Sequence, residues 1–361
     1  MSIPHDLFPE ILSHLHRLPA KSLVRFQCVS KSWFAKINDP GFIQRHHDNS
    51  SERRLLLQIW NCNTDHQEPL NYYLANSPNE NGEAVFPPFH NPCRFSKILD
   101  CCNGLVCIRT YDDKIVIWNP SIRKYKLLPS LPTVSGLKRR NFGFGYDPVN
   151  KDYKVVSIVE YFGSGDVSFA RIFKVELYSL KPNSWSRVGL GSLPTTLWEL
   201  RIFFGPVSLN GDLYFLVKTP TVIRLLAFHL TTEKFREQRP MLPVGPQTLE
   251  VLGGSLYVST YEPGAQTIVL WRLNEEWSWI RFRSVPIFEF DFQLEMPLMG
   301  WRVVLWSKDG QEVLMEMDYG CKNLFKYDIK EKTRFIGHIG KHFWSGTCLG
   351  SLLLLDGDSV H

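Results

Sequence analysis

The chain has 361 residues, with 13% aromatic residues, 23 prolines and a formal net charge of +5. This length allows one small module and one larger domain, and the aromatic and proline content favours a β-rich, turn-rich body over long helices. The sequence shows no apolar run of roughly 20 residues, no secretory signal and no strongly basic stretch, so we expect an intracellular protein without a membrane or nucleic-acid partner.

Residues 6–38 carry the pattern of three short helices. The first helix presents one apolar face, made by Leu7, Ile11, Leu15 and Leu18. Asp6 can cap it, Pro19 begins the second helix, and Ser30 is a good N-cap for the third, which the Asp-Pro-Gly segment at 39–41 should end. The third helix presents Trp33 and Ile37. Helices this short bury only a thin core, so some apolar side chains should remain available to a partner.

The most specific part of this region is the string LPAKSLVRFQCVSKSW at 18–33. With it, residues 3–45 resemble an F-box, the module that joins substrate receptors to cullin-type ubiquitin ligases. Plant F-boxes usually lack three of the residues before Pro19, and such an insertion rotates the following residues by roughly 60° unless it bulges out. The resemblance implies internal packing and binding to a Skp-type adaptor through Ile3, Pro4, Leu7, Ile11, Leu12, Pro19, Leu23, Val29 and Trp33. A helical hairpin that only caps the N-terminus is the alternative.

Short β-type runs replace the helical pattern after residue 54. An aromatic residue at a strand end is followed, after a turn, by a second one in five places: Trp118 with Tyr125, Tyr178 with Trp185, Phe228 with Phe235, Trp271 with Trp277, and Tyr327 with Phe335. The leading residues are 60, 50, 43 and 56 positions apart. These periods match four-stranded propeller blades, with an irregular β-sandwich as the alternative. We expect segment 344–355 to pair with an early blade, completing a sixth unit assembled from both ends of the domain.

A second resemblance covers this β region. The motifs are WNPSIRK at 118–124, LLP at 127–129, FGFGYDP at 142–148, DYKVV at 152–156 and VELYSL at 175–180. They resemble the F-box-associated interaction domain of plant F-box proteins, which is often described as kelch-like. The predicted fold is therefore a small all-α three-helix F-box over 1–45, a linker over 46–54 and an all-β, kelch-like β-propeller or propeller-like domain for substrate recognition over 55–361.

Motifs of catalysis and cofactor binding are missing from the sequence. There is no G-x-S-x-G elbow, P-loop or H-E-x-x-H. Gly143 and Gly145 lack a third glycine and lead into a turn, and the spacing of His338 and His342 would suit a metal only on a helix, which nearby glycines disfavour. The basic triplet 138–140 is interpreted as a solvated loop. We predict no catalytic residue, metal or cofactor.

These patterns predict a non-catalytic substrate-receptor subunit of an SCF-type ubiquitin ligase. It would bind a Skp-type adaptor, through it a cullin, and a protein target of unknown identity, and would act by bringing reactants together. The alternatives are a small-molecule or glycan-binding propeller with a structural helical cap, and an adaptor-binding scaffold without a degradation target. Target recognition is expected on the longer connections, 161–169, 196–203, 218–222, 261–266 and 288–296. Aromatic residues there, candidates for target contacts, are Phe162, Trp198, Phe288, Phe290 and Phe292.

Overall fold

The fold is given by a computed structural model. It describes residues 15, 18–49, 53–60, 71–75, 83–85, 97–110, 112–131, 137–162, 171–189, 201–202, 206–218, 223–238, 247–286, 300–306, 312–318, 322–328, 330, 333–337, 342–349 and 351–353. The chain divides into two compact units, one of residues 1–128 with 343–361 and one of residues 129–342. Within the described ranges, no helix has the length and hydropathy that crossing a membrane requires.

Three helices lie at the N-terminal end of the described chain, and they only partly coincide with the predicted ones. Their bounds are α1 Ala20–Phe26, α2 Lys31–Ile37 and α3 Pro40–Asn49. The predicted second and third helices are α1 and α2, and the Ser30 side chain caps α2 as expected, accepting a bond from the Trp33 N–H at 3.2 Å. Apart from Leu15 and Leu18, the predicted first helix lies outside the described residues.

Helix α3 was not predicted, because the Asp-Pro-Gly segment was interpreted only as a stop. In the structure this segment follows the end of α2 and also begins α3. The Asp39 carboxylate accepts the Phe42 N–H at 2.9 Å, and Pro40 occupies the first helical position, where its missing N–H costs no bond. Since α3 runs to Asn49 and β1 begins at Arg53, both elements overlap the predicted linker of 46–54.

The strands of the first unit form antiparallel sheets. Their bounds are β1 Arg53–Trp60, β2 Asn71–Ala75, β3 Glu83–Val85, β4 Lys97–Cys102, β5 Leu105–Arg109, β6 Ile115–Asn119 and β7 Lys124–Leu127. Strands β4, β5, β6 and β7 make one sheet in chain order. Residues 115–119 of β6 are buried throughout, as expected for a strand covered on both faces.

The second unit repeats the same antiparallel arrangement in four further sheets. The first contains β8 Leu137–Asp147, β9 Asp152–Phe162, β10 Arg171–Ser179 and β11 Ser184–Val188. The second contains β12 Arg201–Ile202, β13 Val207–Leu209, β14 Asp212–Lys218, β15 Ile223–His229 and β16 Lys234–Gln238. The third contains β17 Gln247–Leu252, β18 Ser255–Glu262, β19 Thr267–Leu273 and β20 Trp279–Pro286. The fourth contains β21 Gly300–Trp306, β22 Glu312–Asp318, β23 Lys322–Asp328 and β24 Thr333–Gly337.

The last strand, β25 at His342–Leu349, returns to the start of the β region. It pairs with β1 in a sheet of order β25-β1-β2-β3, so strands from both ends of the domain share one sheet. This confirms the predicted sixth unit. With six such sheets among the described residues, the β domain is propeller-like and follows three N-terminal helices, as the sequence predicted.

Aromatic residues spaced seven apart are direct cross-strand neighbours. Such pairs are Trp118 with Tyr125, Tyr178 with Trp185, and Phe228 with Phe235. The spacing follows from a shared four-residue hairpin loop whose last residue has a positive φ, which keeps the two strands in the same register each time. Loops of this kind end at Arg123, Lys151, Asn183 and Glu233.

The pairs at spacings of six and eight do not face each other. Trp271 lies opposite Arg281, whereas Trp277 is in the turn between β19 and β20. Tyr327 lies opposite Arg334, one position before Phe335. These two pairs therefore lack the register that the other three share, because their connections differ in length and β20 is bulged.

The glycines at 143 and 145 have a packing role in β8. A methyl group at Gly143 would lie 2.8 Å from Pro206 Cγ, and one at Gly145 would lie 2.7 Å from Ser208 Oγ. Glycine thus allows β8 to approach the β13 region closely. The basic triplet also lies in β8, so its interpretation as a loop was wrong, and the side chain of Arg140 is 4% exposed, with its guanidinium 4.0 Å from Glu176.

A buried polar network joins the β8–β9 hairpin to the β15–β16 hairpin. Asp147 accepts from Thr231 Oγ1 at 2.7 Å, and Lys154 Nζ lies 3.2 Å from Asp147 Oδ2. Lys154 also donates to the Leu230 carbonyl at 2.6 Å and to Glu233 at 3.0 Å. Burial alone would raise the pKa of Asp147, but the bonds from Thr231, Asn150 and Lys154 hold that pKa well below its usual value. We call this network the charged joint.

Candidate functional site

Two large apolar side chains are exposed on the helices. Val29, in the turn after α1, is 60% exposed, and Phe34, in α2, is 55% exposed. Cap geometry explains the position of Phe34. Because Ser30 starts α2, Trp33 and Ile37 lie four residues apart on the buried face, and Phe34 lies one position off that face. Exposed apolar side chains near each other in sequence are typical of an interaction surface.

Other predicted adaptor-binding residues belong to the core of the helical region. Leu23 and Trp33 are buried, and the Trp33 ring meets Phe26 edge-on with centroids 5.6 Å apart. Pro19, which directly precedes α1, is exposed. The remaining predicted positions, Ile3, Pro4, Leu7, Ile11 and Leu12, lie outside the described residues. Among the predicted residues that the structure describes, Pro19 and Val29 are thus exposed, and the sequence reasoning missed Phe34.

The helical surface is positively charged. Residues 18–47 contain five Lys or Arg and one Asp, and that acid, Asp39, caps α3. Lys21, Arg25 and Lys31 are exposed on or beside α1 and α2. An apolar pair among cations fits a partner surface that combines apolar contacts with acidic residues.

The helices are attached to two segments distant in sequence. Leu352 is buried in the same core as Leu23 and Trp33, and Ile122 of the β6–β7 turn packs against that core. Asn119, fully buried, donates through Nδ2 to the Ser351 carbonyl at 3.1 Å and the Leu353 carbonyl at 3.0 Å. We call this arrangement of Asn119 and residues 351–353 the neutral joint.

Leu18, one of the additional residues before Pro19, is integrated into this packing. Its side chain packs against the helical core, and its N–H donates to the Leu15 carbonyl at 3.0 Å. The buried His46 ring of α3 bonds the Leu18 carbonyl at 2.9 Å. Leu18 therefore packs back onto the helices, an arrangement that the register argument alone did not predict.

The structure describes one of the five predicted target-contact residues. Phe162 is the last residue of β9, whereas Trp198, Phe288, Phe290 and Phe292 lie outside the described residues. Of the five predicted connections, 261–266 is described in full, and it contains a 3-10 turn at Pro263–Ala265. These assignments stay predictions. No group of three His, Cys, Asp or Glu side chains among the described residues could hold a metal ion.

Comparison with known proteins gives relatives along most of the chain. F-box/kelch-repeat protein At3g23880 of Arabidopsis thaliana is 26% identical over 352 residues, covering 90% of each chain. Putative F-box protein At3g16210 of the same plant is 29% identical over 242 residues, covering 65% of this chain and 59% of that protein. The chain thus spans less than two thirds of the length of that relative. TolB from Acinetobacter baumannii aligns structurally with 84% of this chain and 67% of its own at 11% identity, with a TM-score of 0.49.

Family models match both regions that the sequence motifs had indicated. Residues 1–45 match the F-box domain, and residues 71–336 match the F-box associated beta propeller domain. The second match alone covers more than half of the chain. Members of the F-box family are typically non-catalytic adaptors, and an F-box domain implies binding of a Skp1-type adaptor. The chain belongs to the family of F-box proteins that carry an F-box-associated β-propeller domain.

Proposed function

We propose that this protein is the substrate-receptor subunit of an SCF-type ubiquitin ligase and acts inside the cell. The observation that carries the proposal is the pair of exposed apolar side chains, Val29 and Phe34, on the basic surface of the F-box helices. Through the adaptor the helices would hold a cullin, while the β domain binds a target protein for ubiquitination and degradation.

The mechanism is proximity, and the chain itself makes and breaks no bond. Holding adaptor and target on one polypeptide raises the effective concentration of the target near the ubiquitin-transfer machinery. To hold the adaptor in one position, the helices must present a surface of fixed shape. Buried Leu23 and Trp33 stabilise that surface from within, whereas Val29 and Phe34 are free to contact the adaptor. We therefore assign the adaptor contact to Val29 and Phe34, with Lys21, Arg25 and Lys31 pairing with acidic groups.

The test is a Val29→Asp, Phe34→Asp double variant of the full chain, co-expressed with a Skp-type adaptor. We expect loss of co-elution with the adaptor and a melting temperature near that of the parent, since both side chains are exposed. Val149→Asp, at the even more exposed Val149 of the β8–β9 turn, is the matched control and should keep the adaptor. Adaptor binding by the double variant equal to the parent would refute the assignment.

A further inference from the structure

Strand β20 is the last strand of its sheet in chain order, and it differs from the other last strands whose burial is described. Strands β11 and β16 expose no large apolar side chain among their described residues, and β7 exposes one, Leu127. Around β20, by contrast, Trp277 is 43%, Ile280 is 46% and Phe282 is 40% exposed. Three exposed apolar side chains within six residues are typical of a binding surface.

Strand register brings two of these side chains together with arginines. Ile280 lies directly opposite Arg272, so both are on the same face of the sheet. Phe282 is the extra residue of a β-bulge, because Trp271 faces Arg281 and Leu270 faces Arg283. Such a bulge redirects a side chain at a sheet edge. The Phe282 ring then meets Tyr257 edge-on at 5.3 Å, and the Arg283 guanidinium lies 5.7 Å from its centroid.

Trp277 supplies an independent sign of function. It lies in the β19–β20 turn with φ at +58°, a left-handed conformation that bulky side chains rarely adopt. Other non-glycine residues with a positive φ among the described residues, such as Arg123, Asn183 and Glu233, are polar. An indole that is 43% exposed and held in an unfavourable backbone conformation gains less from burial than a core residue does, which favours a contact role.

The charge of strands β19 and β20 indicates what kind of partner they would bind. Strands β19 and β20 contain three arginines and no acidic residue, and the nearest acids in sequence are Glu275 and Glu276 in the turn. Arg281 is paired with Glu262 at 3.2 Å. No carboxylate among the described residues is within ion-pair distance of Arg272 or Arg283. These two cations are therefore available to carboxylates of a partner.

We propose that Trp277, Ile280 and Phe282, together with Arg272 and Arg283, form a contact surface for the target protein. This basic apolar patch would bind a target segment in which Asp or Glu alternates with apolar side chains. The bulge at Phe282 disfavours addition of a further strand to β20, so recognition would occur through side chains. The inference rests on the proposed function and adds the chemistry of the target to it.

The experiment measures fluorescence anisotropy of labelled peptides with the full chain bound to its adaptor. The probes are an acidic peptide, EFDLEFDL, and its basic counterpart, KFKLKFKL. We expect the acidic peptide to bind about tenfold tighter, with affinity falling as salt is raised. The Arg272→Glu, Arg283→Glu variant should reverse that preference. Equal binding of both peptides to the parent would overturn the proposal.

A Trp277→Ser, Ile280→Ser, Phe282→Ser variant should weaken both peptides by about tenfold or more, whereas Leu127→Ser on β7 should change neither. Melting curves establish that each variant is folded, and the charge-reversed variant tests the patch even if the triple variant unfolds. Adaptor co-elution is recorded for the parent and for every variant. A parent chain that does not co-elute with the adaptor would refute the proposed function, whereas peptide binding tests the patch alone.

The patch could instead be occupied by a segment of this chain or by a second copy of it, and variants of the same protein distinguish these cases. Residues 288–295 of this chain read FEFDFQLE and have the chemistry of the acidic peptide. A Glu289→Gln, Asp291→Asn variant should leave peptide affinity unchanged, and a gain of about tenfold would assign the patch to this segment and overturn the proposal. Sedimentation should show one copy of the chain per complex at all concentrations. Dimerisation that the triple serine variant abolishes would assign the patch to a second copy and equally overturn it.

Discussion

The neutral joint of the first unit and the charged joint of the second occupy the same place in equivalent hairpins. Asn119 and Asp147 both precede a four-residue turn, both are fully buried, and both accept a backbone N–H two residues ahead. Each also bonds a segment far along the chain, but Asn119 donates to carbonyls, whereas Asp147 accepts from Thr231 and pairs with Lys154. One turn position thus serves two kinds of long-range attachment, and the distant segment decides which side chain fits.

Removing the Lys154 cation of the charged joint should change the free energy of unfolding most. A Lys154→Met variant leaves the Asp147 carboxylate buried without its counter-ion, which typically costs about 3–5 kcal/mol. Denaturant unfolding of the parent and the variant measures the difference. Lys181→Met removes an exposed lysine near the same turn and should cost far less. Equal losses for the two variants would show that the charged joint does not depend on its ion pair.

Exchanging the two side chains sharpens the contrast. Asn119→Asp should destabilise strongly, since a carboxylate cannot donate to the carbonyls of Ser351 and Leu353 and would itself be buried. Asp147→Asn keeps an acceptor for Thr231 and should cost about 1–3 kcal/mol. Thermal unfolding of both variants gives the order. If Asp147→Asn proved the more damaging, the joints would not differ in the way described here.

The close approach of β8 to its neighbouring strands should be the next most sensitive feature. A Gly143→Ala variant places a methyl group 2.8 Å from Pro206, and such overpacking costs about 1–3 kcal/mol. Gly189→Ala is the matched control, because no atom of the described residues, apart from Gly189 and its chain neighbours, lies within 4 Å of the added methyl group. Melting temperatures of the two variants provide the comparison. A stable Gly143→Ala protein would indicate that β8 can move away from its neighbour.

The smallest expected difference is in pH dependence. The folded-state pKa of Asp147 lies below its unfolded value, so the unfolded chain binds more protons in acid and this carboxylate's stabilisation is lost as pH falls. The stability gap between the parent and Asp147→Asn should therefore be full at neutral pH and shrink below about pH 4. For Asn119→Ala the gap should not change with pH, since no charge is lost. Unfolding midpoints between pH 3 and 7 measure both, and parallel curves would contradict the prediction.

Sequence alone could predict the features that depend on local spacing. Trp118 with Tyr125 follows from a four-residue hairpin loop, and the Ser30 cap follows from residue type and position. The bulge at Phe282 escaped prediction, because a single extra residue shifts register without leaving a mark on aromatic spacing. Helix α3 escaped because an Asp-Pro pair both stops and starts helices.

The candidate site likewise contains some features that the sequence predicts and others that it does not. Val29 was among the predicted adaptor residues, whereas the exposure of Phe34 depends on which face of α2 the core covers. That core contains Leu352, and Asn119 bonds Ser351 across 232 positions of sequence. No local pattern specifies such a contact. The sequence signal for this contact was an Asn followed by Pro at the end of a strand. That signal does not indicate which distant segment Asn119 would bond.

The pairing of β25 with β1 has a consequence for protein synthesis. The first strand of the β domain cannot complete its sheet until residues 342–349 have left the ribosome, so this sheet closes last. Leu352 emerges later still, and the core beneath the F-box helices lacks one of its buried members until then. Contacts of such long sequence separation form slowly. A prematurely terminated chain would therefore present an incompletely packed F-box, which lacks the contact of Leu352 with the helical core.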